Sequence, residues 1–354
     1  MNRYLLYILG VVLLTSSCRK NVLIESGGQS TPCVYQLNLP DSVGQWRIDT
    51  FSLPTNDRYN KDIFFLNENV GFLLKDYYSL FKTTDGGKTW AKISSFYDYE
   101  ITYQVYFINE NVGFVSVFGR PNARLLTTID GGLTWENRIL PIQGTLSHIQ
   151  FTDEFHGFAL HFGFKNPNQS IVSLYETKNQ GRTWAEVKMN DTLSTDRLGL
   201  QFLDDKKAFT IAMKNNKNYL LKSLDGGLTW KEFGNLPENI FEFKFTDEQN
   251  GILTTFKTCF TTTDGGLTWK EKTDIKGFPR LLFAGSVTDF LLNLETIQCN
   301  YGDYGHYQSQ FLSIENNDIK RTQNVTFLNP RLSFFPNKKL GYVVEDNKLL
   351  RFTR

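Results

Sequence analysis

Aspartates in five near-identical segments are the residues of this chain whose type and repetition could do chemistry. Each segment reads Ser or Thr, any residue, Asp, Gly, Gly, any residue, Thr, Trp, and the third carries Asn-Gln-Gly instead of Asp-Gly-Gly. A carboxylate can act as a general acid, a general base or a metal ligand. Five equivalent copies spread round a repeat architecture cannot converge on one substrate, so we predict a structural role for them. The predicted structural residues are Asp85, Trp90, Asp130, Trp135, Asn179, Trp184, Asp225, Trp230, Asp264 and Trp269.

The residue types of this segment suit a tight turn between two strands. An Asp or Asn side chain can accept hydrogen bonds from backbone N–H groups one to three residues further on. The second glycine allows a positive φ, and the Thr before the Trp is expected to tie the turn with its hydroxyl group. The Trp can then pack between neighbouring sheets and bury on the order of 200 Å². The glycines concerned are Gly87, Gly132, Gly181, Gly227 and Gly266.

Other chemistry-bearing residues show no pattern of a catalytic or metal site. His148, His156, His161 and His306 lack ligand spacing, so we expect core or surface histidines. The chain contains no HExxH, P-loop, GxSxG or dinucleotide-binding motif. We therefore predict no catalytic residue, no metal and no cofactor.

The cysteines leave two readings open. Beyond Cys18, the chain has Cys33, Cys259 and Cys299, which allow at most one internal disulfide. Cys259 and Cys299 could pair if they lie in neighbouring blades. Unpaired buried thiols are an equal alternative.

The spacing of the segments indicates the elements that must position them. Their tryptophans lie 45, 49, 46 and 39 residues apart, and periods near 45 belong to β-propellers or helical arrays. The flanking residues are short β-rich runs bounded by turn residues, which excludes helical arrays. A blade is expected to contain strand A, strand B, strand C before the Asp segment and strand D after its Trp.

A second motif counts the blades. It places a Phe six residues before a Gly that is followed by an apolar residue, with an expected A–B hairpin between them. Seven copies, two with Ala208 or Asp289 in place of the Gly, predict an all-β, seven-bladed β-propeller of four-stranded blades. The copies begin at Phe65, Phe107, Phe151, Phe202, Phe245, Phe283 and Phe335.

The last blade lacks a fourth strand at the C-terminus. Its run Leu349–Phe352 is interpreted as strand C, and Trp46–Phe51 lies 44 residues before Trp90, as a strand D should. We predict that this N-terminal strand completes the last blade and closes the ring, which removes open sheet edges.

The N-terminus is interpreted as a lipoprotein signal. Residues 1–17 carry a basic start and an apolar run from Tyr4 to Leu14, followed by small residues before Cys18, the predicted lipidation site. Cleavage of an ordinary signal peptide is the alternative. Residues 18–43 are predicted to be the lipidated Cys and a flexible tether, and residues 44–354 a single propeller domain.

The charges bear on location and partners. Arg19-Lys20 after the lipid site favours the periplasmic side of the outer membrane, with the cell surface as the alternative. With 38 basic and 37 acidic residues, the chain has no long-range field that would hold nucleic acid or an anionic membrane surface. We expect membrane attachment through the lipid anchor only, and a monomer.

These segments resemble the Asp-box or BNR repeat of sialidases, xyloglucan-degrading enzymes, sortilin-type receptors and photosystem II stability/assembly factor-like proteins. The longer pattern from Gly71-Phe72 to Trp90 is most similar to the last group and its bacterial lipoprotein relatives. The resemblance covers roughly residues 44–354 and implies a propeller of the broad WD40/YVTN kind. Propellers host unrelated functions, so it implies little about activity, and nothing in the chain indicates a photosynthetic organism.

A sialidase-like or other glycoside hydrolase is the alternative function. A sialidase would need an arginine cluster to bind a carboxylate, a Tyr nucleophile with a Glu partner, and an Asp that acts as the acid. Only Arg47 and Arg58 lie between Trp46 and Asp85, and Phe278-Pro279-Arg280-Leu281 is similar to the sialidase arginine segment only in composition. We therefore predict a non-enzymatic scaffold.

The predicted binding face carries the long B–C and D–A loops, which share one side of an up-and-down blade. Tyr and Arg in these loops suit contact with a protein or a glycan whose identity the sequence leaves open. Solvated loop tips are the alternative. The candidates are Tyr77, Tyr78, Tyr97, Tyr99, Arg120, Arg124, Tyr301, Tyr304, His306 and Tyr307.

Overall fold

The structure is a computed structural model of the chain. It describes residues 46–54, 60–76, 78–96, 101–118, 122–166, 169–187, 199–214, 217–273, 275, 278–286, 289–296, 308–315, 318–321, 332–337, 339–345 and 347–354. Every regular element among these residues is a β-strand. Within the same residues, no helix is long and apolar enough to cross a membrane.

The strands form four-stranded antiparallel sheets, each made of consecutive strands apart from β1. The first strand is β1 (Arg47–Ser52). Blade 1 contains β2 (Asn60–Phe65), β3 (Gly71–Lys75), β4 (Ser79–Thr83) and β5 (Ala91–Ser95). Blade 2 contains β6 (Thr102–Phe107), β7 (Gly113–Val117), β8 (Arg124–Thr128) and β9 (Glu136–Ile139). Blade 3 contains β10 (Thr145–Phe151), β11 (Gly157–Asn166), β12 (Gln169–Thr177) and β13 (Ala185–Val187).

The second half of the chain continues this order. Blade 4 contains β14 (Leu200–Phe202), β15 (Ala208–Lys214), β16 (Lys217–Ser223) and β17 (Lys231–Asn235). Blade 5 contains β18 (Ile240–Phe245), β19 (Gly251–Thr255), β20 (Cys259–Thr262) and β21 (Lys270–Glu271). A further sheet contains β22 (Phe278–Ser286), β23 (Asp289–Thr296), β24 (Gln308–Glu315) and β25 (Asp318–Arg321). The closing blade contains β26 (Leu332–Asn337), β27 (Leu340–Glu345), β28 (Lys348–Thr353) and β1.

The Phe–Gly motif is explained by stacking between successive blades. Phe107 of blade 2 lies flat on Phe72 of blade 1, with ring centroids 3.6 Å apart. The motif glycine makes room for the Phe of its own blade, since a Cβ on Gly71 would come within 2.5 Å of the Phe65 ring. The same stacking recurs in the pairs Phe65–Tyr342, Phe114–Phe151, Phe158–Phe202 and Phe209–Phe245.

The prediction of a seven-bladed propeller is wrong, because six blades follow the motif and the sheet β22–β25 does not. In blades 1 to 5 the motif Phe lies opposite the Gly or Ala, as Phe65 does opposite Gly71, and in the closing blade Gly341 lies under the ring of Phe335. In the sheet β22–β25, Phe283 instead lies opposite Leu291, between two irregularities in register. This sheet lacks both the motif glycine and an Asp box, and its first strand lies beside β18, β19 and β26. The described hydrophobic cores link the six blades.

The predicted completion of the last blade by the N-terminal strand is confirmed. β1 pairs antiparallel with β28 over six residue pairs, from Arg47 opposite Thr353 to Ser52 opposite Lys348. Trp46 is buried against Phe335 and Phe352, with centroid distances of 6.0 and 6.3 Å. The outermost strand of this blade is therefore supplied by the other end of the chain.

Strand direction gives the propeller two unlike faces. The A–B turns and the Asp boxes lie on one side, called the Asp-box face, and the B–C and D–A connections lie on the other, called the loop face. On the Asp-box face each box donates a backbone N–H to the A–B turn of its own blade, as Gly86 does to the carbonyl of Asn69 at 2.9 Å. The equivalent donors are Gly131, Gln180, Gly226 and Gly265.

Candidate functional site

The Asp boxes are turns in which each side-chain oxygen already has a partner. In the first box, the Thr83 hydroxyl donates to Asp85 Oδ1 at 2.8 Å and accepts the N–H of Gly87 at 2.9 Å. Asp85 Oδ1 also accepts the N–H of Thr89, and Asp85 Oδ2 accepts the Thr89 hydroxyl at 2.6 Å. The Thr before the Trp therefore ties the turn as predicted.

Two features of the boxes differ from or extend the sequence prediction. The main backbone donor to the carboxylate lies four residues on rather than one to three, and the carboxylate spans the whole turn. In the third box, Asn179 Oδ1 accepts the Thr183 N–H while its amide nitrogen donates to the Thr183 hydroxyl. The amide of Asn179 thus replaces the carboxylate, and the hydrogen bond with the Thr hydroxyl runs in the opposite direction because the side chain donates it.

The hydrogen bonds of the boxes keep their carboxylates ionised. The Thr89 hydroxyl is the main cause that lowers the pKa of Asp85 to about 2, and the Thr134 and Thr268 hydroxyls do the same for Asp130 and Asp264. A carboxyl group that is ionised down to this pH is a poor general acid. No group of three or more metal-ligating side chains occurs in the part of the chain that the structure describes.

The described histidines have different hydrogen-bond partners and do not bond to one another. His156 Nε2 lies 2.7 Å from a carboxylate oxygen of Glu176, and His161 Nε2 lies 2.7 Å from the carbonyl oxygen of Gln143. Burial lowers the pKa of His161. His306 lies outside the described residues.

Cys259 is a buried free thiol, and its burial raises its pKa to about 12. A thiol with so high a pKa is unreactive at neutral pH. Cys18, Cys33 and Cys299 lie outside the described residues.

Two of the predicted binding-face residues are described, and both lie at the loop face. Tyr78 precedes β4 and accepts the N–H of Phe96 on its carbonyl at 2.7 Å. Arg124 begins β8, where it lies opposite Val117 of β7 and Ile139 of β9. The other eight candidates, Tyr77, Tyr97, Tyr99, Arg120, Tyr301, Tyr304, His306 and Tyr307, lie outside the described residues.

Three aromatic pairs at the loop-face end of the inner strands were missed by the sequence analysis. Each joins an A-strand residue, three or four positions before the motif Phe, to a residue at or beyond the middle of its B strand, and we call them the mouth pairs. They are Tyr103–Phe118 in blade 2, His148–Phe162 in blade 3 and Phe241–Phe256 in blade 5, with ring centroids 6.2, 5.9 and 5.8 Å apart. In each pair the second residue lies four positions after the residue that follows the motif glycine. This regular offset is the signal that could have found them.

The mouth pairs combine exposed rings with charge. Tyr103 and Phe256 are 44% and 43% exposed. The Arg280 guanidinium lies 5.2 Å from the Phe241 ring centroid, within the range of a cation–π contact. His148 has a φ of 52° at a bulge in β10, and the surrounding protein lowers its pKa. Aromatic and guanidinium groups presented together are typical of binding surfaces.

Polar side chains on the inner strands bind the backbone of the next blade. Gln201 accepts the N–H of Phe245 and donates to its carbonyl, both at 2.7 Å, and Gln150 holds Phe202 in the same way. The inner strand is an open sheet edge, so these bonds satisfy groups that would otherwise remain unpaired. We call these contacts inter-blade latches, and the others are Asp62 to Val105, Gln104 to Ile149 and Glu242 to Leu281.

The latch of Asp62 makes stability depend on pH. Burial raises the pKa of its carboxyl group to about 7 in the folded protein, against 3.8 in its absence. Folding therefore favours the protonated form of the Asp62 carboxyl group. The contribution of this group to the stability of the folded protein is lost as the pH rises from about 4 through 7. We expect Asp62→Asn, which keeps an acceptor for the Val105 N–H, to stabilise the protein by on the order of 2 kcal/mol at pH 8 and by far less at pH 4.

Urea unfolding of the two proteins at pH 4, 6 and 8 measures this difference. Glu136→Gln is the matched control, since Glu136 is a fully solvated carboxylate whose pKa is lowered by Arg138. A constant difference between the Asp62→Asn and wild-type proteins across this range would contradict the assignment.

The Asp boxes, the four-stranded blades and the closing strand together define a class, the Asp-box β-propellers. Within this class the chain belongs to the PSII_BNR family, whose description is photosynthesis system II assembly factor YCF48 and whose model matches residues 41–141 and 98–233. A comparison with curated protein sequences gave no match.

Solved structures show the same fold at low sequence identity. A structure described as YCF48 bound to D1 peptide is 17% identical, with a TM-score of 0.66 over 91% of this chain and 100% of that chain. YCF48 from Cyanidioschyzon merolae is 18% identical, with a TM-score of 0.62 over 86% and 98% of the two chains. The GH74 xyloglucanase from Xanthomonas campestris is 9% identical, with a TM-score of 0.56 over 85% of this chain and 52% of that chain. At these identities the likeness concerns the fold alone.

Proposed function

We propose that this protein is a non-catalytic scaffold that binds a segment of a partner protein at the loop face, around the mouth pairs. The observation that carries the proposal is the recurrence of an aromatic pair in three blades, with one ring of each pair exposed to solvent. Aromatic rings and arginine dominate the energetics of protein interfaces. A structure that is similar in fold and is described as YCF48 bound to D1 peptide supports a protein partner over a glycan.

A hydrolase function has less support from the described residues. The repeated carboxylates are held as ionised hydrogen-bond acceptors within turns, and they belong to separate blades. A glycoside hydrolase needs a pair of carboxyl groups a few ångströms apart, one of which is protonated. The xyloglucanase likeness, at 9% identity, carries no activity to this chain.

The proposed setting is the bacterial cell envelope. Residues 1–17 act as the signal peptide, Cys18 carries the lipid, and residues 18–43 tether the domain of residues 44–354 to the outer membrane on its periplasmic side. The propeller acts there as a monomer that presents its loop face to the partner.

Site-specific photo-crosslinking tests the proposed binding surface. We expect a photoreactive phenylalanine analogue at Tyr103 or Phe256 to give a discrete crosslinked protein in the native envelope. Ile139 is the matched control, since it is 61% exposed at the outer rim of the loop face, away from the mouth pairs. The double variant Tyr103→Ala and Phe256→Ala should lower the recovery of the same partner by about tenfold or more.

Two outcomes would count against the proposal. Equal crosslinking at Ile139 and Phe256 would mean that the mouth pairs carry no specific contact. Turnover of a fluorogenic glycoside panel by the wild-type protein, lost on mutation of a described carboxylate, would instead favour an enzyme.

A further inference from the structure

The tips of the Asp boxes carry side chains of an unusual composition. Two positions in each box point to solvent, the residue before the Asp and the residue after the second Gly, and we call these the tip positions. Of the ten tip positions, five are aliphatic, three are basic, two are Thr and none is acidic. The aliphatic ones, Ile129, Leu133, Leu224, Leu228 and Leu267, are 55–80% exposed. The basic ones are Lys88, Lys178 and Arg182.

The aliphatic tips have no described role within the fold, whereas the basic tip Lys178 forms an ion pair with Glu176 at 3.2 Å. The box is held by its Asp, Thr and Gly residues, while the tip residues make none of those hydrogen bonds through their side chains. Glu68 and Glu110 of this face belong to the A–B turns and so lie inside the ring of box tips, whereas Glu136 follows the second box directly and forms an ion pair with Arg138. Protruding aliphatic groups with basic neighbours form an arrangement that suits the interface of a lipid bilayer.

The path of the chain brings the proposed lipid anchor to this same face. β28 is the strand C of its blade and ends at Thr353, opposite Arg47, on the side where the other C strands run into their Asp boxes. The backbone N–H of Arg354 donates to the carbonyl of Lys339 in the A–B turn, and the Arg354 guanidinium lies 4.6 Å from the Trp46 ring centroid. The chain therefore enters the fold at Trp46 on the Asp-box face.

The length of the tether between Cys18 and Trp46 decides how far the domain can lie from the bilayer. Residues 19–45 join Cys18 to Trp46. A flexible chain of this length has a typical end-to-end distance of about 30 Å, similar to the size of the domain itself. The attachment point at Trp46 therefore places the Asp-box face, rather than the loop face, nearer to the proposed anchor.

We propose that the Asp-box face docks on the lipid surface, with the aliphatic box tips at the boundary of headgroups and acyl chains and the basic tips on anionic headgroups. This inference rests on the proposed envelope setting. It gives the loop face, with its mouth pairs, an orientation away from the bilayer. Docking depends on the local composition of the tips and so does not require a net charge on the chain.

Fluorescent labels in reconstituted vesicles test the docking. The mature protein, purified from envelopes and reconstituted in vesicles of phosphatidylethanolamine and phosphatidylglycerol, carries Cys33→Ser, Cys299→Ser and one new cysteine labelled with an environment-sensitive dye. Cys259 is buried and stays unlabelled. We expect quenching by acyl-chain spin labels to be at least about threefold stronger with Leu133→Cys than with Ile139→Cys. Leu133 precedes β9 and Ile139 is its last residue, so they lie at opposite ends of the same strand, and both are exposed apolar residues.

A second variant tests the cooperation of the tips. Adding Leu228→Glu and Leu267→Glu should reduce the quenching at position 133 to the level seen at position 139. Equal quenching at the two labelled positions, or quenching unchanged by the glutamates, would overturn the docking proposal.

Mass measurement of the N-terminal peptide separates this proposal from the proposed anchor. A lipidated protein without contrast between the two labels removes the docking and leaves the anchor. An unlipidated protein that still shows the contrast when added to vesicles removes the anchor and leaves the docking.

Discussion

The Gly266→Ala protein is expected to unfold with a free energy lower than that of the wild type by about 2–4 kcal/mol. Gly266 has a φ of 96°, a conformation that costs any residue with a Cβ. The added Cβ would also overlap the Cδ2 of buried Leu220 in the neighbouring blade. Neither Leu220 nor the box turn can move without disturbing the contact between blades 4 and 5. The midpoint of urea unfolding measures the loss.

The first glycine of the same box provides the control. Gly265 also has a positive φ, of 74°, but Gln180 occupies the equivalent position of the third box with a φ of 59°. A side chain is therefore tolerated there, and Gly265→Asn is expected to cost no more than about 1 kcal/mol. Similar losses from Gly265→Asn and Gly266→Ala would show that backbone conformation alone, and not the approach of the blades, sets the requirement for glycine.

Phe107→Ala is expected to cost about 3–5 kcal/mol, the largest effect among single truncations of the motif residues. The Phe107 ring is fully buried, lies 3.6 Å from Phe72 of the preceding blade and meets Trp135 edge to face at 6.3 Å. Its removal leaves a cavity at the junction of two sheets and uncovers Gly113 beneath it. Denaturant unfolding followed by tryptophan fluorescence would report the loss.

An exposed phenylalanine separates burial from residue type. Phe155 lies in an A–B turn and is 57% exposed, so Phe155→Ala should change stability by less than about 0.5 kcal/mol. If Phe107→Ala were as mild as Phe155→Ala, the stacked pairs between blades would not be a main source of stability.

The parts of the fold that the sequence predicts are those fixed by short-range requirements. The Asp box needs an acceptor, a positive φ and a hydroxyl within a few residues of one another, so its whole pattern recurs in the chain. The Phe lies opposite a small residue six positions on across one hairpin in blades 1 to 5, a Gly in four of them and Ala208 in blade 4, so the spacing between the two is constant. The seventh copy fails because bulges on both sides of Phe283 shift its register, and register is not visible in spacing alone.

The parts that the sequence does not predict depend on contacts between blades. The latches come from two different positions of the A strand, one residue before the motif Phe in Gln201 and three residues before it in Asp62. Asp, Gln and Glu can each supply the acceptor, so no residue type repeats. The mouth pairs are equally hard to recognise, because a bulge in β10 displaces His148 and three different residue types fill the first position.

The pairing of β1 with β28 imposes an order on folding. Arg47 and Thr353 are opposite each other in the sheet although nearly the whole described chain lies between them. During synthesis β1 emerges early, and its pairing with β28 can form only after β28 has followed. Closing so long a loop carries an entropic cost that only the finished ring can offset. The blades in between can form sequentially, but the closing blade gains its fourth strand only when both ends of the described chain have been made, and an unpaired β-edge favours aggregation until then.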